Sequence, residues 1–193
     1  MKRILLVCTG NTCRSPMAEA LFRKLAAERG VPAEVKSAGV AALAGQPMSG
    51  HAADALRDRG VDPSGFRSSE ATPELVRWAD LILTMTSHHK RHLLELYPEA
   101  VEKTYALKEY AATDAETAAL LAERESLVAD LQLKLALGQP IRDEERRRLE
   151  ELERKLPSPD VQDPIGGSRA RYERTADEIE AAIRAVLDRL YRE

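Results

Sequence analysis

Cysteine is nearly absent from this chain. Cys8 and Cys13 are the only two in 193 residues, and both fall in one short segment. That leaves no thiol for a structural disulfide framework, and two unpaired thiols point to a reducing compartment, so a cytoplasmic location is expected. An excess of charge of either sign is also missing. The 29 Lys and Arg stand against 32 Asp and Glu, for a net charge of −3, and the bases are interleaved with the acids rather than clustered. No nucleic-acid partner is expected from such a pattern. Long apolar runs are absent too. The N-terminal run Ile4-Leu5-Leu6-Val7 ends at Cys8 and gives way to polar residues, so it is too short for a signal peptide. No stretch supplies the ~20 apolar residues of a membrane helix, and no membrane association is expected. A length of 193 residues suits one core.

The organising stretch is Val7 to Ala18, V-C-T-G-N-T-C-R-S-P-M-A. An apolar, β-branched run leads into Cys8, and Pro16 opens a helical pattern carried on by Ala20, Leu21 and Leu25. The loop Thr9-Gly10-Asn11-Thr12-Cys13 therefore joins a strand to a helix N-terminus. Gly10 and Asn11 tolerate positive φ, so the loop can curl its N–H groups toward one centre, which would hold an anion. The fixed fork of Arg14 adds positive charge and suits two equatorial oxygens of a phosphoryl group. Such surroundings favour the thiolate of Cys8, the nucleophilic form, and Ser15 is placed to donate a hydrogen bond to its sulfur. The plain alternative is a buried small cysteine followed by a solvated arginine. The strand before, Gly-Asn within and Ser-Pro after argue against it. Oxidation of Cys8 could be captured by Cys13 as a disulfide, which would make the site redox-sensitive.

Along the rest of the chain, helices are expected over Met17 to Gly30, Ser49 to Arg59, Thr72 to Trp78 and Ser87 to Leu96, with strands over Ala33 to Ala38, Asp80 to Met85 and Val101 to Leu107. The Gly39 to Ser49 loop should lie beside the anion loop. Trp78 reads as a packing residue. His88 and His92 share a helix face, but lone helical histidines are mostly solvated, and no metal is expected. From Thr113 to Leu137 the chain turns Ala-, Leu- and Glu-rich. Gly138-Gln139-Pro140 breaks the pattern, and Arg142 to Leu156 resumes it. This predicts an antiparallel helical hairpin, 113–157, inserted in a single domain spanning 1–193. At ~25 residues and ~1.5 Å per residue its first helix should project well beyond that domain. It is expected to serve outside the chemistry, with no partner identified. Arg169 to Tyr191 reads as a final amphipathic helix through Ile179, Ile183, Val186 and Leu190.

At the Cys8-x5-Arg14-Ser15 loop the sequence resembles the low-molecular-weight protein tyrosine phosphatase family. The resemblance extends to Ser37-Ala38-Gly39, to Ala79-Asp80-Leu81-Ile82-Leu83-Thr84-Met85 and to Asp163-Pro164. Within the family it is most similar to the bacterial protein arginine phosphatase branch, which carries threonine where Thr12 stands and continues Asp-Pro with Gly-Gly-Ser.

That resemblance implies a cysteine-dependent protein phosphatase without cofactor, acting on phosphorylated proteins through a phosphocysteine intermediate. Cys8, Arg14 and Asp163 would be catalytic, with Thr9, Gly10, Asn11, Thr12, Cys13 and Ser15 binding the phosphoryl group. Asp163, held extended by the following proline, would protonate the leaving group and then activate water. The expected architecture is an α/β three-layer sandwich around a four-stranded parallel sheet in the order 2-1-3-4, with the anion loop at the carboxyl end of the first strand. Phosphoarginine is the expected substrate. Tyrosine-directed members tend to carry an aliphatic residue at the position of Thr12 and aromatics around the pocket, and this chain has neither. Phosphotyrosine is the alternative. Arsenate reduction is less favoured, because no resolving cysteine follows Cys13. A silent phosphate-binding module is disfavoured by the presence of both Cys8 and Asp163.

Overall fold

The computed structural model describes residues 1–112 and 114–191, so Thr113, the expected first residue of the hairpin, lies outside the described residues. Four strands, β1 (Lys2–Cys8), β2 (Ala33–Gly39), β3 (Leu81–Thr84) and β4 (Thr104–Ala106), form one sheet in the order β2-β1-β3-β4, all neighbours parallel. Ile4 pairs with Val35 on one side and Leu81 on the other. The run Ile4 to Val7 is wholly buried and unalternating because helices cover both faces of the sheet.

The pleat divides that run between two cores. Ile4 and Leu6 point to one, with Leu83 and residues of α1 (Arg14–Glu28), α2 (Gly50–Arg57) and the C-terminal α8 (Arg169–Leu190). Leu5 and Val7 point to the other, with Ile82, with Val76 of α3 (Pro73–Trp78) and with Leu93 of α4 (Ser87–Leu96). The result is the expected three-layer α/β sandwich. Trp78 packs at the rim of the second core, with Lys36 Nζ 4.1 Å above its ring. Fully burying a side chain such as Leu6 contributes roughly 1.5–3 kcal/mol, so strand β1, with four of them, anchors the sheet.

Several boundaries differ from expectation. α1 begins at Arg14, not Met17, because Pro16 fits the first turn, where its missing N–H costs no helical bond. It stops at Arg29, where Gly30 takes φ +66 and the Gly30 and Val31 N–H groups return to Ala27 and Ala26. The fourth strand is shorter than the span Val101 to Leu107. Pro98–Lys103 is a 3₁₀ turn closed by Thr104 Oγ1 donating to the Ala100 carbonyl, and Leu107–Ala111 is a short helix, α5. A buried alternation of three residues is too brief to separate from flanking helical turns by pattern alone.

The described chain forms two compact units, Ala112–Ser158 and the remainder. The smaller holds α6 (Ala115–Ala136) and α7 (Asp143–Lys155), which pack together with Leu131 and Leu152 buried. Asp114 caps α6 by accepting from the Thr117 N–H, and Gly138 takes φ +65 at the turn. Among the described residues no helix is long and apolar enough to cross a membrane.

Candidate active site

β1 delivers Cys8 to the carboxyl edge of the sheet, and the chain then turns through five residues into α1. Asn11 is the one described non-glycine residue with positive φ, at 53°. Asparagine accepts that conformation more readily than most residues, and here its fully buried side chain is held from three sides. Asn11 Oδ1 accepts from the Ser69 N–H at 2.8 Å, which settles which end of the amide is which. Its Nδ2 then donates to Ser37 Oγ and to Ser15 Oγ, each at 2.8 Å.

The direction of the remaining protons follows. Ser37 O–H donates to Glu19 Oε2 at 2.5 Å, so its oxygen is the acceptor for Asn11. Ser15 Oγ likewise accepts from Asn11, which leaves its own proton for Cys8 Sγ at 2.9 Å, the Ala38 carbonyl at 3.4 Å being the weaker acceptor. Cys8 Sγ also accepts from the Asn11 N–H at 3.3 Å. The buried Asn11 amide thus donates in two directions, through Ser37 to the Glu19 carboxylate and through Ser15 to the Cys8 sulfur. Glu19 itself is paired with Arg23.

The loop is clasped from β2 as well. The Val40 and Ala41 N–H groups donate to the carbonyls of Cys8 and Thr9, and the Ser49 N–H donates to Thr12, so the Gly39 to Ser49 segment lies beside the loop as expected. The approach is so close that a Cβ on Gly39 would stand 2.3 Å from the Thr9 carbonyl oxygen and 3.0 Å from the Asn11 nitrogen.

Arg14, 6% exposed, directs its guanidinium at the C-terminal part of the chain. Nη2 donates to Asp163 Oδ2 at 3.0 Å and Nη1 to the Val161 carbonyl at 3.4 Å. Asp163 is half-exposed, its other oxygen accepting from the Ile165 N–H, and a turn with Gly166 at φ +71 carries the chain away into α8. Asp160 is engaged elsewhere, its carboxylate accepting from the Ser87 N–H and hydroxyl.

The expected residues Cys8, Thr9, Gly10, Asn11, Thr12, Arg14, Ser15 and Asp163 therefore gather around one loop. Cys13 belongs to the loop but turns to its far side, where its S–H donates to Ser49 Oγ at 3.3 Å and its sulfur lies 3.4 Å from Tyr172 Oη. Burial, helped by Cys13, pushes the Tyr172 hydroxyl above its ordinary pKa, so it stays protonated beside the thiol. Ser49 stands at the N-cap of α2 as read from sequence, yet its side chain serves Cys13 rather than the helix.

Sequence reasoning missed five contributors to the site: Ser37 and Glu19, the backbone of Ser69, Tyr172, and above all His89. His89 is 3% exposed and bridges Thr9 Oγ1 through Nε2 at 2.7 Å and Thr86 Oγ1 through Nδ1 at 2.9 Å. Burial, with smaller contributions from Arg14 and His88, lowers its pKa to about 4, so the ring is neutral at pH 7 and carries one donor and one acceptor. The available signal was the Thr86-x-x-His89 spacing of a capped first turn, but nothing local links His89 to Thr9. The rings of His88 and His92 lie 6.5 Å apart, and no group of three or more His, Cys, Asp or Glu among the described residues is arranged to hold a metal.

A family model described as low molecular weight phosphotyrosine protein phosphatase matches residues 3–123, a span that holds the loop and ends before Asp163. The protein-arginine-phosphatase of Geobacillus stearothermophilus is 47% identical over 118 residues, covering 60% of this chain and 76% of that protein. The low molecular weight protein-tyrosine-phosphatase Etp of Escherichia coli K12 is 44% identical over 101 residues, covering 52% and 66%. The solved structure of YwlE arginine phosphatase from Geobacillus stearothermophilus superposes with a TM-score of 0.70 at 34% identity, covering 98% of this chain and 93% of that one.

Proposed function

The chain belongs to the low molecular weight phosphotyrosine protein phosphatase family of cysteine-dependent protein phosphatases, and within it we propose that this enzyme hydrolyses phosphoarginine on proteins. The observation that carries the choice is that the two segments flanking the loop carry no aromatic residue. The segment against the loop is Val40-Ala41-Ala42-Leu43, and the one after Asp163 and Pro164 is Ile165-Gly166-Gly167. A phenol ring finds nothing there to stack on, whereas a flexible, polar guanidinium stem needs no such walls. The named arginine phosphatase among the relatives supports the same reading. Phosphotyrosine is the second reading, supported by the tyrosine-phosphatase relatives.

In the proposed reaction the Cys8 thiolate attacks phosphorus, forming an S–P bond as the P–N bond to the guanidine breaks. Arg14 and the N–H groups of the loop and of the first turn of α1 hold the three equatorial oxygens. An incoming phosphoryl group competes with Asp163 for the Arg14 fork, and the freed carboxylate, once it has taken up a proton from solvent, passes that proton to the departing nitrogen. Water then attacks the phosphocysteine while Asp163 takes its proton, and the S–P electron pair returns to sulfur, where the Ser15 hydroxyl steadies it. A thiolate mechanism of this kind needs neither metal nor cofactor, and two free thiols suit a cytoplasmic enzyme.

Thr12 is the residue on which selectivity turns in this reading. It is the fourth of the five residues between Cys8 and Arg14, its hydroxyl 3.7 Å from Cys13 Sγ, and isoleucine there would add bulk and remove a polar atom. The test is the ratio of kcat/KM for a phosphoarginine protein to that for a phosphotyrosine peptide, in the wild type and in Thr12→Ile. The wild-type ratio should favour phosphoarginine, and the substitution should shift it toward the aryl phosphate by about 1–3 kcal/mol. A wild-type ratio favouring phosphotyrosine would overturn the assignment.

A further inference from the structure

Leu131 is buried between the two helices of the hairpin, but the apolar side chains around it are left partly open. Val128, Leu131 and Leu135 recur at helical spacing along α6 and line a groove of about 380 Å³ with Ile141 and Leu149. Leu135 is 64% exposed. The charges of the hairpin fall into two sets. Those on the side of α7 toward α6 are satisfied: Glu145 pairs with Lys134 and Arg142, and Arg148 with Glu123 and Glu151. Those on the rim of the groove, Arg146, Glu150 and Glu153, make no ion pair among the described residues.

We propose that this groove is the contact by which two copies of the chain associate, hairpin to hairpin, about a two-fold axis. The rim is what selects a second copy over another partner. Arg146 and Glu153 stand seven residues apart, two turns along one face of α7, with Leu149 between them. Two α7 helices laid antiparallel, with the axis passing between Leu149 and Glu150, set Arg146 of each copy opposite Glu153 of the other. The two Arg146–Glu153 pairings outnumber the one like-charge meeting, of Glu150 with its own copy at the axis, and the apolar grooves join across the seam, as an isologous interface allows. The thirteen residues of α7 span ~20 Å, and a face two helices wide is also ~20 Å across, so each copy buries on the order of 400 Å². That total of roughly 800 Å² lies below the ~1,200 Å² of a stable specific interface, so the dimer is a weak, concentration-dependent one.

Sedimentation equilibrium of the full chain between about 10 µM and 1 mM tests this, with turnover of an aryl phosphate and helical circular dichroism as checks of folding. The wild type should pass from monomer to dimer over that range. Arg146→Glu and Glu153→Arg should each weaken association by about tenfold or more, since two symmetry-related attractions become repulsions. An equimolar mixture of the two variants should regain it, because the unlike charges then meet across the seam. Turnover and helicity should not change. A wild type monomeric throughout, a dimer indifferent to either substitution, or a mixture that fails to recover would each overturn the proposal.

Discussion

The loop around Cys8 and the helical hairpin are both rich in polar contacts, but the contacts differ in reach and burial. Around the loop, Asn11 binds Ser69 58 residues away, Thr9 meets His89 across 80 residues, and Arg14 holds Asp163 across 149. In each pair one partner, Asn11, His89 or Arg14, is buried, and each pair includes a residue of the candidate site. In the hairpin, Lys134 pairs with Glu145 and Arg148 with Glu123, 11 and 25 residues away, the first pair on partly buried side chains and the second on half-exposed ones. Exposed pairs of that kind are screened and nearly interchangeable, whereas a buried network fails when one member is removed, because its neighbours are left unsatisfied. The number of hydrogen bonds in a region thus says little about its tolerance of change. Burial and the distance spanned along the chain say more.

Substitutions at the loop should show the greatest loss. Cys8→Ser is expected to abolish turnover while oxyanion binding persists, since Arg14 and the loop amides remain. Steady-state kinetics beside phosphate or vanadate titration would show it, and residual hydrolysis near the wild-type rate would exclude the covalent route. Asp163→Asn should slow turnover by ~10²–10⁴-fold, the scale of a positioned acid and base. A loss of only a few-fold would remove Asp163 from that role.

His89 provides a test by pH. Its folded pKa, about 4, lies below the ordinary 6.5, so between those values the unfolded chain binds a proton that the folded one refuses. The stability that comes from the neutral, buried ring is therefore present above pH 6.5 and is lost as pH falls toward 4, by about 3 kcal/mol in full. Urea unfolding of the wild type and of His89→Gln at pH 7, 5.5 and 4 should show that slope only in the wild type. The smallest effect belongs to the hairpin. Arg148→Ala removes two ion pairs, yet turnover should stay within about twofold of wild type, because the pairs are exposed. A larger fall in kcat/KM would break the contrast between the regions.

The same contrast marks what could be read from the sequence. Strand, loop and helix from Lys2 to Glu28 were legible because everything that shapes them is contiguous: a buried apolar run, Gly-Asn at the turn, Ser-Pro at the helix start. The sheet order followed from the family resemblance and is observed. Thr72 and the proline after it marked α3 by local chemistry alone. The fourth strand was drawn too long, because Thr104 to Ala106 lies between a 3₁₀ turn and a short helix with similar apolar spacing. Ser69, His89 and Tyr172 were illegible as site residues, since each acts on the loop only after folding brings it across many residues. Of the three, only His89 had a local marker, its place three residues after a capping threonine.

The pairing of Arg14 with Asp163 also puts a clock on the enzyme's synthesis. Arg14, beside the proposed nucleophile Cys8, is translated early and the proposed acid Asp163 149 residues later, and at ~5–20 residues per second that interval is roughly 7–30 s. Throughout it the growing chain carries a cysteine and an arginine but neither the carboxyl needed for release nor the Tyr172 hydroxyl that meets Cys13. In the proposed mechanism, therefore, a nascent chain holds no complete catalyst until Asp163 has emerged, and competence arrives late.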